Sequence, residues 1–141
     1  MEPVFNSPLL QKQFERNGYV LVPQLLDATA LAELRSLFEK HKTRFDGAFH
    51  TSHFSTDVNY KQEVNNTIAK VVFDKAAALL HNYTPLFGNF MIKNPNPEAG
   101  MDLHADWTYV DENKHTSVAI WVPLVDVNEQ NPQAVAFYLA N

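Results

Sequence analysis

The first part of the chain carries helical apolar periodicity interrupted by short polar breaks. Ser7 followed by Pro8 is an N-cap and first-turn signal and Gly18 is a stop, so a helix is predicted over about residues 8–17. Its inward residues are predicted to be Leu9, Leu10 and Phe14. Residues 19–22 are predicted to form a brief strand closed by a proline.

Two more helices follow the same periodicity. Asp27 is predicted to cap a helix reaching about residue 42, with His41 complementing the dipole in its last turn. A third helix is predicted over about residues 63–81, and His81 is predicted to complement the dipole at its end. The apolar faces of the two helices are Leu31, Leu34, Leu37 and Phe38, then Ile68, Val71, Val72, Ala76, Leu79 and Leu80.

Between these helices, residues 43–57 lack periodicity and are predicted to form a loop. His50 and His53 are three positions apart and could meet on one metal if the segment were helical. A solvated or substrate-facing loop is the other interpretation.

After residue 81 the pattern changes to strands, predicted at residues 86–93, 101–109, 118–124 and 135–139. His115 lies in a polar connection and is predicted to be exposed. Residues 118–124 are apolar at nearly every position, which predicts burial on both faces, with Ala119 and Trp121 opposite Val118, Ile120 and Val122. Helices over residues 1–84 and strands over residues 85–141 indicate an α+β fold.

Composition narrows the class of protein. A chain of 141 residues with 45% apolar residues and four glycines is predicted to be a single ordered domain. A net charge of -5 gives no reason to expect nucleic acid or an anionic membrane as partner. The chain has no cysteine, and its first twenty residues contain neither a signal peptide nor a spanning segment, so a cytoplasmic location is expected.

The main candidate chemistry lies at His104 and Asp106. In a strand, side chains two positions apart point to the same side, so both could reach one ion. An imidazole and a carboxylate are two of the three donors in the 2-His-1-carboxylate iron site. On spacing alone, a strand-end histidine beside a solvated aspartate remains an alternative.

Three segments together resemble a known family. They are Phe-Glu-Arg-Asn-Gly-Tyr-Val-Leu-Val-Pro at 14–23, Leu-His-Ala-Asp-Trp-Thr-Tyr at 103–109, and Ser-Val-Ala-Ile-Trp-Val-Pro-Leu-Val-Asp-Val-Asn-Glu-Gln-Asn at 117–131. In this order they resemble the phytanoyl-CoA dioxygenase-like family of non-haem Fe(II), 2-oxoglutarate-dependent oxygenases. The resemblance implies helices packed on a cupin-like double-stranded β-helix, or jelly roll, and hydroxylation of a small-molecule substrate.

The resemblance also implies site residues. His104 and Asp106 would be catalytic and would ligate the metal, and Fe(II) and 2-oxoglutarate would be the cofactor and co-substrate. Trp121 would form a wall of the 2-oxoglutarate pocket, although a plain core tryptophan is the alternative. Met91 and Lys93, in the strand before the ligand motif, are further candidate cofactor-binding residues.

The chain departs from the family pattern after Asp106. The family takes a second histidine and a carboxylate-binding arginine from later strands, whereas here His115 is the one later histidine and the last arginine is Arg44. Lys93 or Lys114 would offer only a point charge. We therefore expect a partial jelly roll, truncated on its C-terminal side, with an open sheet edge through which a homodimer could form. A catalytically silent remnant acting as a binding or oligomerisation module is the alternative to an oxygenase.

Overall fold

The structure is a computed structural model that describes residues 2–45, 47–93 and 108–126, and the backbone of 136–140. It is a mixed helix and strand fold with small antiparallel sheets, as the α+β prediction requires. Among the described residues, no helix combines the length and the apolar character needed to cross a membrane.

The first helix, α1 (Pro8–Asn17), begins and ends where the sequence predicts. The Ser7 side chain accepts a hydrogen bond from the amide of the third helical residue, and Gly18 ends the helix in the left-handed region at φ 76°. Leu10 and Phe14 pack against the core, but Leu9 is 66% exposed, so its predicted inward position is wrong. Leu10 and Phe14 are four positions apart and form one narrow stripe, and Leu9 lies off that stripe.

Residues 19–22 form no strand, contrary to the prediction. Tyr19 and Leu21 are 61% and 78% exposed, whereas Val20 packs on the core. The alternation of exposed and packed residues is that of a strand, but none of the described strands pairs with this segment. A different segment near the N-terminus makes sheet-like contact, as Phe5 forms an isolated antiparallel bridge with Leu80.

The second helix, α2 (Ala28–His41), is capped by Asp27 as predicted. The third, α3 (Val58–Ile68), begins five residues before the predicted start because Asp57 accepts a hydrogen bond from the amide of Tyr60. It continues through a π-helical segment, Ala69–Phe73, into the short helix α4 (Asp74–Ala77).

The π-helical segment matches an unusual apolar spacing. The side chains at 64, 68, 72, 76 and 80 recur every four residues, and all are at most 4% exposed. In an α-helix of 3.6 residues per turn, a repeat of four drifts by about 40° each time. A wider π-helical turn corrects this drift and keeps the stripe facing α2 and the core.

The helix α2 and the helical segment 58–77 run antiparallel, and three lysine–carboxylate ion pairs join them in the described part of the chain. Residues progressively later in α2 pair with residues progressively earlier in the second segment, the pairs being Asp27–Lys75, Glu33–Lys70 and Lys40–Glu63. Exposed pairs contribute little stability each, but their order fixes the register of the two helices. Between them lies the centre of the core, including Leu34, Val64, Ile68 and Phe90, each fully buried.

Five strands form two antiparallel sheets in the described part of the chain. Strand β1 (Phe49–Thr51) pairs with β3 (Met91–Lys93), with His50 opposite Ile92. Strand β5 (Ala136–Ala140) lies between β2 (Thr84–Phe87) and β4 (Ser117–Trp121). The predicted strand at 135–139 is therefore confirmed, and β1 shows that residues 43–57 are more than a loop.

The predicted strand at 86–93 is two strands in different sheets. The break falls at Gly88 and Asn89, whose polar groups bond to other segments: the Gly88 amide donates to Asn65 Oδ1 at 2.9 Å, and Thr51 Oγ1 donates to Asn89 Oδ1 at 3.1 Å. These bonds replace strand ladder bonds, so the chain changes sheets here.

The β4 strand is not buried on both faces. Trp121 is 50% exposed, whereas Val122 is 8% exposed and Ile120 packs on the core. The predicted parity is confirmed, but only one side of the strand faces the core. Its exposed face is apolar, which is why the sequence pattern predicted two buried faces.

Candidate functional site

The predicted metal ligands, His104 and Asp106, lie outside the described residues, within 94–107. Elsewhere in the described ranges, no three His, Asp or Glu side chains come close enough to hold a metal ion. His50 and His53, considered together as a possible metal pair, have other roles: His50 Nε2 lies 3.2 Å from Tyr60 Oη, and the His53 ring stacks on Phe87.

Tyr109 lies three residues after the predicted metal ligand Asp106 and makes two ring contacts. Its ring packs edge-on against Phe87 with centroids 4.8 Å apart, and against His53 at 5.9 Å. Three peptide links separate Asp106 from Tyr109, so covalent geometry keeps their Cα atoms within about 11 Å. The aromatic cluster of His53, Phe87 and Tyr109 is therefore a neighbour of the predicted ligand motif.

The aromatic cluster borders a shallow open depression of about 220 Å³. One wall is built by the parallel rings of His53 and Phe87, whose centroids are 4.6 Å apart. The opposite wall is the second turn of α3. Its lining includes His53, Lys61, Gln62, Asn65, Phe87 and Gly88.

Three hydrogen bonds join the segments that line the depression. Asn65 Oδ1 accepts from the Gly88 amide at 2.9 Å, the Ser52 hydroxyl accepts from the Phe90 amide at 2.9 Å, and the Ser52 amide donates to the Phe90 carbonyl at 3.0 Å. These bonds tie the strand break at 88–90 to α3 and to the segment that precedes it. The floor and both walls are thus held by packed elements.

Behind the depression, Tyr60 is the centre of a polar layer. Its ring is 2% exposed, and burial raises the pKa of its hydroxyl to about 12, so it is protonated at neutral pH. The guanidinium of Arg44 lies 4.9 Å from the ring centroid and binds Asp57 at 2.9 Å. A backbone amide of α3 and, second to it, Arg44 lower the pKa of Asp57.

The same layer contains a histidine that the sequence analysis placed only at a helix end. His41 is 7% exposed, its ring lies 4.6 Å from that of Tyr60, and its Nε2 is 2.9 Å from Glu63 Oε2. Hydrogen bonds from Lys40 first, and from His41, lower the pKa of Glu63. His41 therefore joins α2 to α3 in addition to lying at a helix C-terminus. His81 instead lies with Nδ1 3.3 Å from Asn6 Oδ1, and His115 is exposed as predicted.

The predicted cofactor-binding residues fall on two sheets. Met91 and Lys93 lie two positions apart on β3, on the opposite side from the buried Ile92. Trp121 lies at the end of β4, paired with Ala136 of β5. Their cofactor roles stay predictions. Two cationic residues discussed above in connection with the 2-oxoglutarate carboxylate have protein partners instead. Arg44 binds Asp57, and Lys114 binds Asp111 at 2.9 Å.

The depression, with Lys61, Gln62 and Asn65 in its lining, is not predicted from the sequence. The third helix is predicted to begin at about residue 63, so Lys61 and Gln62 lie outside any predicted element. The Asp57 cap is the signal that could have found them, because a helix beginning at Val58 brings residues 58, 61, 62 and 65 to one side.

Comparison with known proteins decides the relationship. The family model for phytanoyl-CoA dioxygenase matches residues 14–132, which is most of the chain and includes both ligand-motif residues. The chain belongs to the phytanoyl-CoA dioxygenase family. This family is one of oxygenases that generally depend on Fe(II) and 2-oxoglutarate. Neither the curated proteins nor the solved structures include a significant match.

Proposed function

We propose that this chain is an Fe(II)- and 2-oxoglutarate-dependent oxygenase of hydroxylase type that acts on a small molecule. The observation that carries the proposal is the family match over residues 14–132, which includes His104 and Asp106. The jelly roll of the family is part of this proposal, and two antiparallel sheets are the kind of structure it contains.

The donor types of the motif fit iron. A neutral imidazole from His104 and a carboxylate from Asp106 are the nitrogen and oxygen donors of a facial triad. When bound, iron with 2-oxoglutarate would supply the oxidising chemistry, and the protein would supply binding and orientation. Trp121, Met91 and Lys93 are proposed to contact the co-substrate.

The described residues have a supporting role. Tyr109, three residues after Asp106 in the sequence, packs against His53 and Phe87. Catalytic side chains need positions held to within about 0.5 Å by their surroundings. The aromatic cluster holds the chain at Tyr109, three residues beyond Asp106.

Metal binding tests the proposal directly. We expect the chain to bind Mn(II), as a surrogate for Fe(II), weakly, because two protein donors are visible, and we expect His104→Ala and Asp106→Ala each to abolish that binding. Electron paramagnetic resonance of free Mn(II) measures it. The matched controls are His115→Ala and Asp111→Ala, which remove exposed residues of the same two types. Binding that survives both motif substitutions would contradict the assignment.

The second candidate is a catalytically silent member that acts as a binding or oligomerisation module. It is favoured by the engagement of Arg44 with Asp57 and of Lys114 with Asp111, and by the lack of any arginine after Arg44 in the sequence. We expect little or no succinate from 2-oxoglutarate with this chain alone. Robust succinate formation that His104→Ala abolishes would exclude the silent candidate.

A further inference from the structure

We propose that the depression beside Tyr109 binds one end of the substrate, and that this end is a flat ring or conjugated group carrying a carboxylate. The inference rests on the proposed function and adds the substrate class. It is argued from described residues alone: the rings of His53 and Phe87, and the polar side chains of Lys61 and Gln62.

Lys61 supplies a positive charge at the depression. Among the residues that the structure describes, Lys61 forms no ion pair, although Lys40, Lys42, Lys70, Lys75 and Lys114 all do. Lys61 is partly buried and lines the depression, so its ammonium can reach a ligand bound there. An ammonium without a counter-ion among the described residues is a favourable partner for a bound anion.

The acidic residues near Lys61 do not cancel this charge. Asp57, one helical turn earlier, binds Arg44 at 2.9 Å. Glu63 binds both Lys40 and His41. Although the whole chain has a net charge of -5, Lys61 is the one lysine, arginine or carboxylate residue among the described residues that line the depression, and its charge suits an anion.

The size and lining of the depression suit one flat, polar end of a ligand. A volume of about 220 Å³ is below the roughly 300–1,000 Å³ of pockets that enclose a whole drug-sized ligand, so the depression holds one end of a molecule. The wall of stacked rings favours a flat partner. Gln62, which has no hydrogen-bond partner in the described ranges, adds an amide beside the ammonium. Aromatic packing with an adjacent ammonium and amide matches an arylcarboxylate.

Benzoate, benzamide and acetate separate the two parts of the inference. Benzoate has both the ring and the charge, benzamide has the ring alone, and acetate has the charge alone. We expect benzoate to bind the metal-free chain at millimolar concentration and about five- to tenfold more tightly than either of the others, since hydrogen bonds to charged groups contribute at this level. Chemical-shift changes in ¹H–¹⁵N spectra measure the affinities. No benzoate binding, or equal affinities, would overturn the inference.

Substitutions assign the site. Lys61→Gln should weaken benzoate binding about five- to tenfold, and Lys61→Arg should retain it within about threefold because the charge is kept. Lys12→Gln is the matched control, since it makes the same change of net charge at an exposed lysine of α1. Equal affinities of the Lys61→Gln and Lys12→Gln chains would overturn the assignment, provided that their melting curves match.

Two further arms separate this inference from the proposed function. 2-Oxoglutarate should not displace benzoate, and displacement would assign the depression to the co-substrate and overturn the substrate assignment. His104→Ala should leave benzoate affinity unchanged while abolishing Mn(II) binding. If the unsubstituted chain binds Mn(II) but not benzoate, the substrate site alone is refuted. If it binds benzoate but not Mn(II), the metal site alone is refuted.

Discussion

Replacing Gly88 by alanine should destabilise the chain and distort the floor of the depression. A Cβ atom at Gly88 would lie 2.3 Å from Ile68 Cγ2 and 2.7 Å from Ile68 Cβ. Ile68 is fully buried in α3, and its Cβ position is set by the helix backbone, so it cannot rotate away. The backbone at Gly88 must therefore shift, and its 2.9 Å hydrogen bond to Asn65 must lengthen.

The magnitude follows from these two effects. Overpacking a close contact costs about 1–3 kcal/mol in free energy of unfolding, and a weakened hydrogen bond at a buried amide adds roughly 1 kcal/mol. We expect a total of about 2–4 kcal/mol. At roughly 3–5 °C per kcal/mol for a chain of this size, the melting temperature should fall by about 10 °C.

Urea unfolding followed by circular dichroism measures the change, with Gly47→Ala as the control. Gly47 has φ 81° and no atom within 4 Å of an added Cβ, so it tests backbone strain without a clash, at about 1 kcal/mol. In the Ile68→Ala background, Gly88→Ala should cost less than in the wild type, because the 2.3 Å contact with Cγ2 is removed while the 2.7 Å contact with Cβ remains. A Gly88→Ala cost no greater than that of Gly47→Ala, or strict additivity with Ile68→Ala, would refute the steric argument.

Three further predictions concern pH and association. Burial raises the folded-state pKa of Tyr60 above its ordinary value of 10 to about 12, so its contribution to stability is present below pH 10 and lost as pH rises toward 12. Tyr60→Phe should remove that alkaline loss in melting curves, and an unchanged alkaline limb would contradict this. The lowered folded-state pKa of Asp57 means that its contribution is present above its ordinary pKa of 3.8 and lost as pH falls through the lowered value, so Asp57→Asn should flatten the acid limb of the stability profile. We also expect self-association through an open sheet edge, measured by light scattering at micromolar concentration, because β2 and β4 are edge strands in the described three-stranded sheet and Trp121 is exposed on β4. A monodisperse monomer with cooperative unfolding would contradict that expectation.

Features governed by neighbouring residues could be predicted from the sequence. The ends of α1 and the start of α2 follow from Ser7, Gly18 and Asp27, because a cap acts on amides or carbonyls within one turn. The parity of β4 follows from strand geometry alone. The family relationship could also be predicted, because each of its three motifs is one continuous stretch of sequence.

Features governed by distant residues could not be predicted. Gly88 ends a strand because it packs on Ile68 and bonds to Asn65, both at least twenty positions earlier. Residues 19–22 alternate as a strand does but have no partner strand in the described fold. The depression combines three segments of the chain, and only their packing brings Lys61 beside His53 and Phe87.

The N-terminal helices do more than cover the sheets, because they fix the strands that lead to the ligand motif. Tyr60 on α3 contacts His50, whose strand β1 pairs with β3, and β3 carries Met91 and Lys93 just before residues 94–107. At the other end of that segment, Tyr109 packs on Phe87. Among the described residues, no buried side-chain nitrogen or oxygen atom lacks a hydrogen-bond partner, so the polar layer around Tyr60 is fully satisfied. The chain is held by neighbours shortly before residue 94, through the pairing of β3 with β1, and shortly after residue 107, through the contact of Tyr109 with Phe87.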